Sequence, residues 1–267
     1  MHKFKPMKIQ IHQKDRRDMN QRLSQWTLWF GNEFADLLFP RRCPVCGGIV
    51  MPKEEMVCVP CREKLSVVRQ PVCKKCGKEV ADEKVEYCLD CTRHKRTFES
   101  GRALLNYNEA ASRSMAAIKY KNRREYLDFY GAAMGRRFGR VVREWKAEAL
   151  VPVPVHPSRR RTRGFNQAEE LARRLSREWG ILVDADLLIR DRKTMPQRDL
   201  NPAERLKNLQ KAFQINPARA GKDMWNRVAL VDDIYTTGST MEACSRVLRE
   251  AGVKEVYFLA ICIGNGL

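Results

Sequence analysis

Eight cysteines set at fixed intervals are the first residues in this chain whose types and spacing could do chemistry. They form four pairs, Cys43-Pro-Val-Cys46, Cys58-Val-Pro-Cys61, Cys73-Lys-Lys-Cys76 and Cys88-Leu-Asp-Cys91, and each pair begins 15 residues after the one before. Two residues between cysteines let both thiolates reach one ion, and two such pairs complete a tetrahedral four-thiolate zinc site. With four protein ligands no position is open for water, so such a site is structural. Gly47 and Gly77 follow the first and third pairs while no glycine follows the other two, so the true repeat is 30 residues. That repeat favours Cys43, Cys46, Cys58 and Cys61 on one zinc ion and Cys73, Cys76, Cys88 and Cys91 on a second. The even 15-residue spacing also permits an interleaved pairing. A module this small has little apolar core, so metal binding supplies its folding energy. Cys244 and Cys262 read instead as small buried hydrophobes.

The second chemical group is the run Val228-Ala-Leu-Val-Asp-Asp-Ile-Tyr-Thr-Thr-Gly-Ser-Thr240. Four apolar residues read as a buried strand, with two adjacent carboxylates, Asp232 and Asp233, at its end. A loop of hydroxyls follows and opens a helix. Backbone amides in such a loop, with a helix N-terminus behind them, form an anion site. Thr236, Thr237, Ser239 and Thr240 add hydroxyl donors, and Gly238 lets the backbone approach a phosphate closely. Carboxylates beside a phosphate site suit hydrogen bonds to a ribose diol, with magnesium nearby.

These groups need elements to hold them. From about residue 98 onward, short apolar strands alternate with helical periods: a strand at Ala149–Val153, a helix over Phe165–Trp179, the strand at Val228–Val231, a helix over Thr240–Ala251 stopped by Gly252, and a strand over Val256–Ile263. Such alternation implies a parallel sheet with ligands at the carboxyl ends of its strands. Ahead of the cysteines, Trp26, Trp29, Phe30, Phe34, Leu37 and Leu38 recur at helical steps up to Pro40, reading as an amphipathic helix over 23–40 that docks on the protein's own core. Residues 1–22 are polar and basic and read as a flexible tail.

The run 228–240 resembles the signature of type I phosphoribosyltransferases, which bind 5-phosphoribosyl-1-pyrophosphate (PRPP). The resemblance extends to Val151-Pro-Val-Pro-Val-His-Pro157, Arg159-Arg-Arg-Thr-Arg-Gly-Phe-Asn-Gln167, Ala117-Ile-Lys-Tyr120, Arg192-Lys-Thr-Met-Pro-Gln197, Glu204-Arg-Leu-Lys-Asn208 and Leu38-Phe-Pro-Arg-Arg-Cys43. Together with the double zinc ribbon these motifs are similar to the ComF family of competence-associated, phosphoribosyltransferase-like proteins. The resemblance implies a ribbon module over 41–97 and an α/β domain of the type I phosphoribosyltransferase fold over 98–267. It implies that Asp232 and Asp233 hold the ribose hydroxyls and magnesium, and that Thr236, Thr237, Gly238, Ser239 and Thr240 hold the 5-phosphate. It places a pyrophosphate loop at residues 154–164, with Val155, His156, Arg159, Arg163 and Gly164, and a hood at 190–211. Thr236 stands where purine-salvage relatives carry an acidic base, so no catalytic base is assigned. Lys119 and His156 remain as acid–base groups without a named role, and no acceptor follows from the sequence.

The net charge of +19, from 51 basic and 32 acidic residues, favours polyanionic partners. With the resemblance, that points to single-stranded DNA and competence DNA-processing proteins as partners beside PRPP. The ribbons carry Lys53, Arg62, Lys64, Lys74, Lys75, Lys78, Arg93, Lys95 and Arg96, a face suited to phosphate backbones and equally to plain solvation. Tyr87 and Phe98 are the few aromatics near these charges, which weakens base stacking as a mode. No stretch is apolar enough to span a membrane, and the first residues lack the apolar core of a secretory signal, so a cytoplasmic protein is expected. An enzyme transferring phosphoribosyl, a PRPP-sensing regulator without turnover, and a DNA-uptake factor are the three readings open at this point.

Overall fold

The computed structural model describes residues 40–190, 212–219 and 223–264. The expected basic tail, all but the last residue of the amphipathic helix and nearly all of the hood lie outside the described residues. Within them, two short helical turns, α1 (Val59–Arg62) and α2 (Leu89–Arg93), belong to the cysteine module. Then come β1 (Gly101–Asn106), α3 (Glu109–Tyr120), α4 (Tyr126–Trp145), β2 (Ala149–Pro152), α5 (Pro157–Arg163), α6 (Gln167–Trp179) and β3 (Leu182–Val183). The chain closes with β4 (Leu188–Arg190), β5 (Phe213–Ile215), β6 (Arg227–Tyr235), α7 (Ser239–Glu250) and β7 (Glu255–Ile263).

Val228, Ala229, Leu230 and Val231 are fully buried, as a strand can be only when helices cover both faces of its sheet. They form the centre of a five-stranded sheet ordered β1-β7-β6-β2-β3, with every pairing parallel. On one face α4 and α6 pack together. Gly131 and Gly135 of α4 allow that approach, since a Cβ on either would lie under 3.0 Å from Arg174 or Glu178 of α6. The Trp179 indole seals the contact by donating to the Gly135 carbonyl at 3.0 Å. On the other face α7 packs with Phe213 against Val228, Leu230, Val256 and Phe258. The flanks of the expected hood, β4 and β5, pair antiparallel, Leu188 opposite Ile215 and Arg190 opposite Phe213.

Two expectations need correction. Residues 154–164 are not a continuous loop, because Pro157–Arg163 forms a helix. His156 caps it, its ring accepting from the Ser158 N–H at 3.1 Å; Pro157 starts it, and Gly164 ends it at φ 80°. A proline after the cap and a glycine past the end are the ordinary signals of such a turn. The acidic pair also does not end its strand, because β6 runs on through Tyr235, placing both carboxylates inside the ladder.

The cysteine module is fastened to the β1 edge. Val68 N–H donates to the Leu104 carbonyl, Asn106 N–H to Ser66, and Gly101 N–H to Lys75. Gly101 has no room for a side chain, since a Cβ there would sit 2.0 Å from the Phe258 ring. That ring is fully buried and stacked on Tyr235 with centroids 4.8 Å apart, so it has nowhere to move. Gly101→Ala is therefore expected to destabilise the protein by about 1–3 kcal/mol, the usual range for overpacking, as read by denaturant unfolding.

Candidate functional site

The sulfur atoms of Cys43, Cys46, Cys58 and Cys61 lie within 4.8 Å of one another, as do those of Cys73, Cys76, Cys88 and Cys91. Pairing is thus sequential, and the 30-residue repeat rather than the 15-residue interval is the structural unit. Each half repeats the same backbone bonds. Cys43 N–H donates to Gly48 as Cys73 does to Lys78, and Gly47 N–H donates to Cys43 as Gly77 does to Cys73. Both glycines sit at φ 77°, the left-handed region that the tight turn around the sulfurs demands. Four thiolates on zinc at 2.3 Å stand about 3.8 Å apart, so a four-sulfur set this tight fits the ion. Burial opposes ionisation of Cys43, yet backbone N–H groups around it bring the thiol down to about 7. Burial and the neighbouring Cys46 and Cys43 push Cys61 up to about 12.

Asp232 and Asp233 are engaged by different elements. Asp233 is buried, ion-paired to the Lys119 ammonium of α3, and accepts from Gln167 Nε2 of α6 at 3.3 Å. Asp232 accepts the Asp233 backbone N–H at 2.8 Å. Burial, joined by the charge of Asp233 and the hydrogen bond with it, raises the Asp232 carboxyl well above its ordinary range, with Lys119 pulling the other way. One strand thus carries two acids of unequal character. Asp233 holds a salt bridge, whereas burial and its charged neighbour push Asp232 toward the neutral form.

After the acids the chain turns through exposed Thr236 and Thr237 to Gly238 at φ 76°, the N-cap of α7. No side chain caps this helix, so its first N–H groups remain for an anion, and the helix dipole favours one there. Thr237 and Ser239 hydroxyls lie 2.9 Å apart. The residues just after the last cysteine pair back the turn: Arg96 Nη2 donates to the Thr237 carbonyl at 2.8 Å. Thr97 donates to both oxygens of Glu242 in the first turn of α7, at 2.8 and 2.6 Å.

The arginine-rich segment faces the same acids from α5. Arg163 donates to Gln167 Oε1 at 2.5 Å, joining the chain of bonds that ends on Asp233. Its guanidinium lies 5.7 Å from the Tyr120 ring centroid. Burial lowers the Arg163 pKa and Asp233 partly restores it. An open cavity of about 320 Å³ is lined by Lys119, Tyr120, Asn122, Ser158, Arg159, Thr162 and Arg163. Of the residues assigned to pyrophosphate by resemblance, Arg159 and Arg163 line it. His156 is occupied in capping α5, its Nδ1 2.7 Å from the Ser158 hydroxyl, Gly164 ends that helix, and Val155 lies just ahead of it. Arg160 points away, 3.4 Å from Glu169. The sequence offers Lys119 only as an acid–base group without a named role and Arg96 only as part of the basic ribbon face; each comes from outside the motif it meets, and only the Ala117-Ile-Lys-Tyr120 motif hints at the first. Cys244 and Cys262 are fully buried, as expected.

Residues 34–92 match the family model described as the double zinc ribbon domain. The chain is 30% identical over 225 residues to Competence protein F of Haemophilus influenzae, covering 82% of this chain and 95% of that protein. It is 28% identical over 212 residues to Competence protein ComFC of Bacillus subtilis, covering 76% and 82%. A 115-residue stretch is 33% identical to DNA utilization protein YhgH of Escherichia coli K12, covering 43% and 49%. Among solved structures, a purine phosphoribosyltransferase from Pyrococcus horikoshii Ot3 aligns at 20% identity and TM-score 0.32, over 52% of this chain and 72% of that one.

Sequential pairing has a direct chemical test. Cys43→Ser/Cys58→Ser removes two ligands from one cluster, and the purified protein is expected to keep one zinc per chain by metal analysis. Cys58→Ser/Cys73→Ser damages both clusters and is expected to lose both ions.

Proposed function

This chain belongs to the ComF family of competence proteins, and from that premise we propose that it binds PRPP at the carboxyl end of β6. The observation that carries this reading is the direct succession of two adjacent acids, one half-buried and one buried, a hydroxyl-and-glycine turn and an uncapped helix. The 5-phosphate takes the N–H groups and hydroxyls of Thr236, Thr237, Gly238, Ser239 and Thr240. The ribose diol lies against Asp232 and Asp233, whose carboxylates accept its hydroxyl protons in charge-assisted bonds. The pyrophosphate faces Arg159 and Arg163, whose guanidinium forks suit phosphate oxygens. Magnesium would accompany the diphosphate and offset its charge, with the acidic pair as oxygen donors of the type it prefers.

The protein's part in any transfer is electrostatic. Breaking the bond from ribose C1 to the pyrophosphate oxygen leaves its electron pair on the diphosphate, and the cations around the cavity stabilise that departing charge. The acceptor that would form the new bond to C1 is unassigned, and a PRPP-sensing protein without turnover would use the same binding groups. The domain organisation is one of two metal-held ribbons over 41–97 docked on a phosphoribosyltransferase-like domain over 98–267. Eight thiolates suit a reduced, cytoplasmic setting. Among the described residues no helix is long and apolar enough to cross a membrane.

A role in handling incoming single-stranded DNA is supported by the names of the relatives and by the net charge of +19. Lys and Arg contacts to a phosphate backbone would make that binding fall steeply with salt.

The test is calorimetric titration of the zinc-loaded protein with PRPP and magnesium, repeated on Asp232→Asn. Wild type is expected to bind saturably, and the variant about tenfold or more weakly, as loss of a charged hydrogen-bond partner at about 1.5–3 kcal/mol implies. The folded Asp232 carboxyl lies above its unfolded value, so its charge opposes folding once the pH exceeds the unfolded value. Asp232→Asn is therefore expected to leave the melting temperature at neutral pH unchanged or raise it. A wild type that binds no PRPP removes this reading.

A further inference from the structure

We propose that Arg96 is a positioning residue of the phosphate turn, delivered to it by the second cysteine cluster. The proposal rests on the phosphate reading of residues 236–240 and adds to it a residue from outside the sheet.

The geometry begins with the Thr237–Gly238 peptide. Arg96 Nη2 holds the Thr237 carbonyl at 2.8 Å. A trans peptide is planar, so its C=O and N–H point in opposite directions. A donor that fixes the carbonyl therefore fixes the direction of the Gly238 N–H, one of the groups a phosphate would take. Gly238 itself cannot supply that restraint, since a glycine at positive φ is the least constrained residue a turn can use. Room for a side chain is also missing: a Cβ on Gly238 would lie 2.3 Å from the Tyr235 hydroxyl. The restraint has to come from a neighbour.

The following residues hold Arg96 in place. Thr97 is pinned to Glu242 by two hydrogen bonds, and Arg246 Nε donates to the same carboxylate at 2.7 Å. Burial opposes ionisation of Glu242, but Thr97 and Arg246 outweigh it and lower its pKa. Glu242 is thus kept as a carboxylate, and its negative charge near the start of α7 is balanced by the Arg246 guanidinium. Phe98 is fully buried, edge-on to Phe258 at 5.0 Å and to Tyr235 at 6.4 Å. Behind this segment, Cys73 and Cys76 of the second cluster are fully buried in the same apolar cluster as Phe98 and Tyr235. Lys75, between those cysteines, accepts from Gly101 N–H at 2.8 Å. Arg96 follows Cys91 by five residues, so folding of the second cluster sets where the guanidinium stands. The Arg96 Nε and the Tyr235 hydroxyl are both buried without a hydrogen-bond partner among the described residues. Such a pair of polar atoms beneath the turn is costly to keep, and is the mark of a region arranged for a task other than packing.

The experiment uses the zinc-loaded full chain and ribose 5-phosphate as probe, titrated by calorimetry into wild type, Arg96→Ala and Arg96→Lys. In parallel, the Gly238 amide resonance is recorded in the ligand-free proteins. Arg96→Ala is expected to weaken binding about tenfold and to shift the Gly238 resonance, with two zinc ions per chain and the melting temperature retained. Arg96→Lys, which can still donate to the Thr237 carbonyl, is expected to recover part of the affinity. Equal affinity and an unmoved Gly238 resonance in Arg96→Ala would overturn the proposal. So would a loss that disappears at high salt, because exposed charge acting at a distance is screened there while a held peptide is not. A wild type that binds no ribose 5-phosphate would instead remove the phosphate reading, and the Gly238 resonance would then decide alone whether Arg96 sets the turn.

Discussion

Two adjacent carboxylates inside a sheet strand are a demanding arrangement, because a buried charge without a partner costs several kcal/mol. The structure meets the demand by bringing three elements to one place. Lys119 reaches Asp233 from the end of α3, and Gln167 reaches it from the first turn of α6. Arg163 of α5 then holds Gln167. Asp232, the second acid, accepts the Asp233 backbone N–H, and burial together with the neighbouring charge of Asp233 makes its carboxyl reluctant to ionise. The asymmetry makes chemical sense for a ligand site. One acid is engaged by the protein's own side chains, and the other keeps room for a further partner.

The same economy governs the cysteine module. It lacks a core large enough to stand by itself, and it is joined to the sheet domain through the β1 edge and through Arg96, Thr97 and Phe98 at the start of α7. On the proposal above, metal in the second cluster would do more than fold a ribbon, because the segment that follows it abuts the turn at 236–240. The first cluster lies in a different part of the core, with Cys43 and Cys61 packed among residues such as Leu104, Met115 and Tyr126.

Much of this was legible in the sequence because the relevant signals are local. The Cys-x-x-Cys pairs and their glycines are short-range features, as are the apolar run Val228–Val231 and the turn that follows it. The strands at 149–152, 227–235 and 255–263 and the helices at 167–179 and 239–250 lie where periodicity put them, within a few residues. What was not legible depends on distance. The even spacing of the cysteine pairs leaves an interleaved sharing of ions open, and it is the 30-residue glycine repeat that favours the sequential pairing the sulfurs adopt. Lys119 reaches Asp233 across more than a hundred residues, and Arg96 reaches Thr237 across 141. The first is hinted at only by the Ala117-Ile-Lys-Tyr120 motif, and the second leaves no trace in local pattern. The helix Pro157–Arg163 is a different case, since its cap, proline and terminal glycine are all local signals.

Hydrogen exchange with and without PRPP and magnesium tests the central claim most directly, because it reads the backbone of every element at once. The expected result is slowed exchange over residues 232–240, with a second protected stretch over 154–167, and no change around Cys43–Cys61. Unchanged exchange over 232–240 at saturating ligand, or protection confined to the first ribbon, would contradict the account and move the ligand away from β6.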